Sequence, residues 1–352
     1  MLGGIKCIAL TPLLLLLPYA LGAEEVPEND DRNASSSLEA VLSHVDRFEE
    51  YWSHRMRIFS SNVDRNILTL FTDEPGYTVT DDSFFLTRWF NDYFVDDTSF
   101  DPTNKSYIRL LGSYGIGSRS DNVSFADIRA KVMLPRSKHR LQLFIGEETK
   151  SGDELSTISA VEEHSGIGLR YLRDFFSETL RVSTSVGFSS IDNPYVRLRI
   201  GSPLVGGQWL LQPMQTLRYS NKDEFQEWTS LLISYNLINH GAFQWLLQRS
   251  THSGVSGMEY LTEVSYQEIN RHRIGIKPYM ALFGRTSEVE AYDNGVRADD
   301  GVYEYVVGVL WKRPVLRDYI FYELHPGVSF HEQFDYKADY RLQLTLELFI
   351  GE

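Results

Sequence analysis

The sequence predicts an all-β transmembrane chain, an up-and-down antiparallel barrel of about 14 strands behind an N-terminal α-helical extension, with 12 strands as the alternative count. Three observations carry that prediction. Residues 106–352 break into strand-length runs with period-2 alternation, their connections alternate between short and long, and one face of the runs is almost free of charge.

The chain begins with a stretch that reads as a secretory signal over residues 1–23. Lys6 gives a positive start, an apolar run follows from Ile8 to Leu17, and Ala20-Leu21-Gly22-Ala23 closes with small residues. The apolar stretch is roughly 14 residues long and holds Pro12 and Pro18, whereas a spanning helix needs about 20 apolar residues. Cys7, the one cysteine, lies ahead of the apolar run and not directly after the cleavage site, so no lipid anchor is expected and the mature chain has no cysteine. A secreted eukaryotic protein of this size would usually carry disulfides. An exported chain without cysteine is expected in a bacterial envelope, and the Asn-X-Ser sequons at Asn33, Asn104 and Asn122 are read as coincidental.

Residues 24–105 form a second compositional zone, with 18 Asp/Glu against seven Lys/Arg, a net of −11. Residues 24–35 are polar and expected to lack order. Ser36 and Glu39 make a capping-box pattern. Leu38, Val41, Leu42, Val45, Phe48, Trp52, Met56 and Phe59 then recur at three- and four-residue steps, an amphipathic helix ended by Asp73-Glu74-Pro75-Gly76. The stretch DDSFFLTRWFNDYF that follows is dense enough in aromatics to need burial, and DDTSFDPTNKS reads as a linker.

From Ser106 onward fourteen runs are expected, at 106–118, 125–135, 138–147, 165–173, 179–189, 194–202, 208–220, 226–238, 242–250, 256–267, 272–285, 302–313, 318–331 and 337–350. PRSKH, RDFFSE, PLVGG, NLINHG, INRHR and RPVLR connect them on one rim. The other connections tend to be longer and acidic, above all EETKSGDELSTISAVEEHS and TSEVEAYDNGVRADDG. RLQLFIGE at 140–147 returns within RLQLTLELFIGE at 341–352, which is read as two strands meeting one pattern.

The run LRVSTSVGFSS shows the alternation plainly, with Leu180, Val182, Thr184, Val186 and Phe188 opposite Arg181, Ser183, Ser185 and Gly187. Across the first seven runs the polar parity carries Arg109, Arg129, Lys131, Arg140, Arg170, Arg181, Arg197, Arg199 and Arg218, with no strand carboxylate expected opposite them. Later runs add the acidic Glu259, Glu263, Glu323 and Glu347, with Lys277, Lys312 and Arg341 among them. The rest of the chain is too small to cover one apolar face of fourteen strands. Lipid can cover it, and closure satisfies every strand edge. The apolar parity is therefore expected to face outward and the arginines to line a lumen.

The signal, the acidic helical segment, the alternating runs and the short-turn/long-loop rhythm together resemble a Gram-negative outer-membrane β-barrel protein, porin-like in class. The resemblance covers residues 1–23 and 106–352 and rests on architecture rather than on a signature motif. VMLPRSKHRLQLFI at 132–145 resembles uncharacterised proteobacterial envelope proteins. The resemblance implies outer-membrane localisation, contact with outer-membrane lipid and lipopolysaccharide, and handling by the barrel-assembly machinery. The chain departs from the class at its end, because Phe349 is three residues short of the C-terminus and on the lumen parity.

A net charge of −14 excludes a basic nucleic-acid face. Tyr and Phe number 20 each, compatible with interfacial girdles. The nine histidines show no zinc spacing, no cofactor motif appears, and the acidic loops around Glu147, Glu148, Asp153, Glu154, Glu162, Glu163, Asp299 and Asp300 are read as solvated rather than as calcium sites. For lipid hydrolysis the candidates are His252-Ser253 and Ser220-Asn221, but adjacent strand residues point to opposite faces, so no enzyme is expected. The functional expectation is a passive or gated pore for small polar or anionic solutes. The alternative is a non-conducting envelope protein, its lumen plugged by the acidic segment or its residues 36–95 held by a periplasmic partner, and the third reading is a lipid hydrolase.

Overall fold

The computed structural model describes residues 42–43, 45–55, 106–134, 141–146, 166–175, 180–190, 192–237, 241–253, 256–287, 289–290, 297–298 and 300–351. The chain divides into two compact units, residues 1–58 and 59–352. The expected signal, the capping box at Ser36, the aromatic stretch at 81–94 and the 147–165 loop lie outside the described residues.

In the first unit residues 42–43 and 45–55 are helical, within the span that the three- and four-residue spacing marks out. One turn apart, Phe48 and Trp52 stand 5.9 Å ring to ring, and Ser53 donates to Glu49.

The second unit is a closed sheet. Its first strands are β1 (Tyr107–Gly117), β2 (Val123–Met133), β3 (Leu141–Ile145), β4 (Ile167–Phe175), β5 (Leu180–Ser190) and β6 (Asn193–Gly201). A short β7 (Leu204–Gly206) precedes β8 (Trp209–Ser220), β9 (Glu224–Asn236), β10 (Gly241–His252), β11 (Glu259–Ile269) and β12 (Gly275–Arg285). After the two-residue strands β13 (Val289–Glu290) and β14 (Arg297–Ala298) come β15 (Gly301–Val315), β16 (Arg317–His331) and β17 (Ala338–Gly351). Omitting β7, β13 and β14, fourteen strands pair antiparallel in chain order. Closure comes from β17 lying against β1, with Tyr107 opposite Gly351 and Gly117 opposite Arg341. The fourteen expected runs match these strands, and the alternative of twelve does not hold.

Both ends of the described barrel, Tyr107 and Gly351, lie on one rim, here the first rim. The expected contrast between the two rims holds for the long connections 146–166 and 286–300. It fails at β5–β6 and β8–β9, which are joined only by residues 191–192 and 221–223. Side chains close these turns: Asn193 Nδ2 donates to Ser189 Oγ and Asp223 Oδ2, and Ser220 Oγ donates to Asp223. Lys222 bridges to Asp192 at 2.6 Å and, with the Ser190 hydroxyl, holds that carboxyl down to about 2.

Parity decides which side of the sheet each residue takes. On β5, Arg181, Ser183, Ser185, Gly187 and Ser189 are buried, while Thr184, Val186 and Phe188 are exposed. The same division runs around the barrel, with Ile128, Ile167, Val196, Phe243, Val264, Met280 and Val307 exposed on the other parity. Side chains on the buried parity reach one another over an intervening strand: Lys312 of β15 pairs with Glu347 of β17, and the Tyr279 hydroxyl on β12 lies 2.9 Å from His325 Nε2 on β16. Only the concave side of a curved sheet permits this, so the buried parity faces inward. Large apolar side chains are thus presented outward and polar ones inward, the reverse of a water-soluble fold.

The outer wall carries aromatic rings near both rims. Trp209–Tyr235, Phe243–Tyr266 and Trp311–Tyr322 pair across adjacent strands near the first rim, and Tyr114, Phe188, Tyr219, Phe225, Tyr305 and Tyr340 stand near the second. Two girdles flanking an aliphatic band are the pattern of a bilayer-crossing barrel. The inner wall also holds apolar rows, the larger made by Leu232, Leu246, Leu261, Ala281, Phe283 and Val306 with Tyr279 and Tyr303 against it.

Because β17 supplies the closing ladder, deleting residues 338–352 leaves two open edges. That chain is expected to lose the folded species that resists heat and SDS on a gel, while full-length protein retains it.

Candidate functional site: the inner wall

The inner wall is built from the inward parity of fourteen strands, and its charges are unevenly distributed. Arg109 (β1), Arg129 and Lys131 (β2), Arg170 (β4), Arg181 (β5), Arg197 and Arg199 (β6) and Arg218 (β8) all sit at inward positions. Of these, Arg197 is 4% exposed and Arg170 5%. Arg140 lies outside the described residues. The expectation that no strand carboxylate accompanies these cations is wrong. Asp127 of β2 faces inward and accepts a hydrogen bond from Arg129 Nε at 2.7 Å. It stands two residues before Arg129 in the same run, so its parity was readable.

Rings lie against several of these cations, and Arg218 also stands 3.7 Å from Asp223 and donates to Gln226. Arg170 lies 5.3 Å from the Phe144 centroid, Arg197 lies 5.8 Å from both Phe144 and Tyr195, and Arg218 lies 4.9 Å from Tyr195. The result is an alternating series of guanidinium and aromatic ring across β3, β4, β6 and β8. Each such contact contributes about 0.5–2 kcal/mol, more where water is excluded. The rings also keep like charges apart. Two glycines make room for them. Gly168 and Gly187 face each other across β4 and β5, and a Cβ on Gly168 would stand 2.6 Å from Phe144 Cζ, one on Gly187 3.1 Å from Tyr195 Cζ. Near the first rim Arg109 sits 5.0 Å from the Tyr107 ring and 5.2 Å from the Phe349 ring, which stack at 5.9 Å. Phe349 faces inward because it forms this seat.

On the wall of β11–β17 carboxylates stand beside the cations. Glu263 pairs with Lys277 at 3.1 Å, and Glu347 pairs with Lys312 and lies 3.7 Å from Arg109. Arg341 lies 3.7 Å from Glu304 and pairs with Asp339 at 2.8 Å, while Arg285 pairs with Glu332. Glu259 is exposed at the second rim, within 3.4 Å of Ser250, and Glu323 is half-buried opposite Lys312. The acidic residues expected on this wall are thus largely counterions of neighbouring cations, joined by Glu304, Asp339 and Glu332, which the sequence reading did not single out. The cationic surplus sits on β1–β8.

The hydrolase candidates do not assemble. His252 Nδ1 meets Gln226 Nε2 at 3.0 Å, and Ser253 Oγ donates to Glu224 at 2.8 Å. Ser220 Oγ donates to Asp223 at 2.8 Å. Among the described residues no group of three or more His, Cys, Asp or Glu is placed to hold a metal ion, and no described helix is long and apolar enough to cross a membrane.

No family model and no curated protein matches the chain. Solved structures similar to it include OccK2 (OpdF) of Pseudomonas aeruginosa, at 9% identity and a TM-score of 0.42 over 70% of this chain and 97% of that one. OmpT of Vibrio cholerae lacking loop L8 is 8% identical, with a TM-score of 0.40 over 69% of this chain and 98% of that one. The NanC porin is 8% identical, with a TM-score of 0.35 over 68% and 98%.

Glu347 is 4% exposed between two cations. Removing one member of a buried ion pair strands the other, at about 3–5 kcal/mol. Glu347→Gln is expected to lower the unfolding free energy of the barrel, read from urea titration, by that order, while Glu259→Gln at the rim leaves it unchanged.

Proposed function

We propose that this chain is an outer-membrane pore, passive or gated, with a preference for small anionic or polar solutes. The observation that carries the reading is the concentration of inward arginine on β1–β8, against a wall on β11–β17 where Lys277, Arg285, Lys312 and Arg341 each stand beside a carboxylate. Arginine arrays lining a passage lower the energy of an anion within it and raise that of a cation. Unequal walls also set up a field across the passage. The outward apolar parity and the two girdles support placement in a bilayer, and with it contact with lipopolysaccharide and handling by the barrel-assembly machinery.

A second reading has support of its own. A fourteen-stranded barrel is wider than the roughly eight strands whose own side chains fill the interior. Yet the inward arginines and the inner apolar row of Leu232, Leu246 and Leu261 are withdrawn from solvent. In that reading the acidic residues 24–105 supply counter-charge and the barrel does not conduct unless they leave. A periplasmic partner for residues 36–95 would be the device that withdraws them.

Planar-bilayer recording separates the two. The full chain is expected to conduct with a reversal potential that favours anions, and Arg197→Gln with Arg199→Gln to move that potential toward zero. A cation preference overturns the anion claim. A full chain that is silent, with conductance only after deletion of residues 24–100, establishes the plugged form.

A further inference from the structure

Inside the band of the described outer wall stands one pair of opposite charges, Glu227 with Arg249, and the geometry points to the polar cluster around it as the contact with a second copy of this chain. Gln215 (β8), Thr229 (β9) and Arg249 (β10) are direct cross-strand partners in one row on the outward parity, with Glu227 diagonal to Arg249. They form a hydrogen-bonded quartet. Thr229 Oγ1 donates to Gln215 Oε1 at 2.7 Å, Gln215 Nε2 donates to Glu227 at 3.0 Å, and Arg249 reaches Thr229 at 3.2 Å and Glu227 at 3.5 Å. The Arg249 side chain is 51% exposed.

Its position is what makes the quartet unusual. The other outward charges on described barrel strands, Arg173, Glu268, Arg313 and Asp318, all lie within two residues of a first-rim strand end, where water and headgroups reach. Thr229 instead lies between Phe225 and Tyr235, the girdle residues of its own strand. Four residues inside Phe225, at ~3.3 Å per residue and a tilt of about 40°, is about 10 Å into the apolar band. An arginine facing lipid inside such a band costs ~2–4 kcal/mol at the midplane and less toward the edges. Arg249 donates from Nε and Nη2 within the quartet, which leaves Nη1 to reach a neighbouring molecule.

The chemistry of the patch selects the occupant. A lipid phosphate calls for unneutralised cations, whereas Glu227 balances Arg249 here. A net-neutral patch holding donors and acceptors is self-complementary, as a two-fold contact requires. With the axis through Thr229, each Thr229 faces its own counterpart. Gln215 of one copy then meets Arg249 of the other, and the reverse.

The inference rests on the outer wall facing lipid, and the experiment keeps the two apart. In a full-length Cys7→Ser chain in lipid bilayers, Thr229→Cys under mild oxidation is expected to give a disulfide-linked dimer, and Ile128→Cys on another part of the outer wall is expected to give none. A membrane-confined maleimide should label Ile128→Cys, and its failure to do so would count against the lipid-facing wall. Labelling of Ile128→Cys with no dimer at Thr229→Cys, or equal dimer at both, overturns the two-fold contact. Glu227→Leu combined with Arg249→Leu is expected to shift the detergent-extracted wild-type mass from dimer to monomer. An unchanged mass, or a monomeric wild type that loses bound lipopolysaccharide on substitution, also overturns it.

Discussion

Closure of the sheet by β17 against β1 is the constraint on which the rest depends. Once Tyr107 stands opposite Gly351 and the ladder runs to Gly117 opposite Arg341, the wall has no free edge and only two surfaces. A strand residue then has one choice, inward or outward, fixed by parity. A one-residue slip in the closing ladder would turn the leucines of β17 inward and its Arg341, Thr345 and Glu347 toward lipid. Register and solvent preference are therefore one decision, enforced at every strand pair.

Keeping so many cations on the inner surface needs compensation, and the barrel uses two kinds. On β11–β17 carboxylates sit beside the cations. On β3–β8 aromatic faces take that role, with Phe144 and Tyr195 interleaved among three arginines above the Gly168–Gly187 contact. The two solutions differ in electrical outcome. A carboxylate cancels the charge it steadies, whereas a ring steadies it and leaves the field in place. The proposed anion preference rests on that difference between the two walls.

Much of the fold was legible because parity is a local signal. The alternation in LRVSTSVGFSS is enough to place Arg181 and Val186 on opposite sides of the sheet, one buried and one exposed. What sequence could not supply were contacts between strands distant in the chain. Phe144 reads as one more apolar residue in LQLFI until β4 and β6 bring Arg170 and Arg197 to its faces. Phe349 looked out of place for the same reason, since its partner Tyr107 lies at the other end of the barrel sequence. Asp127 is legible by the same parity, two residues before the Arg129 that it pairs with. The turns at 191–192 and 221–223 depended on Asn193 reaching Asp223 thirty residues on.

The central claim, that the polar parity faces the interior and the apolar parity faces lipid, is tested most directly by a spin-label scan of residues 181–188 in the full-length protein in bilayers. Collision rates with oxygen, which concentrates in lipid, should be high at positions 182, 184, 186 and 188 and low at 181, 183, 185 and 187, a strict period of two. Equal rates at both parities, or a maximum on the arginine-bearing parity, would contradict the account.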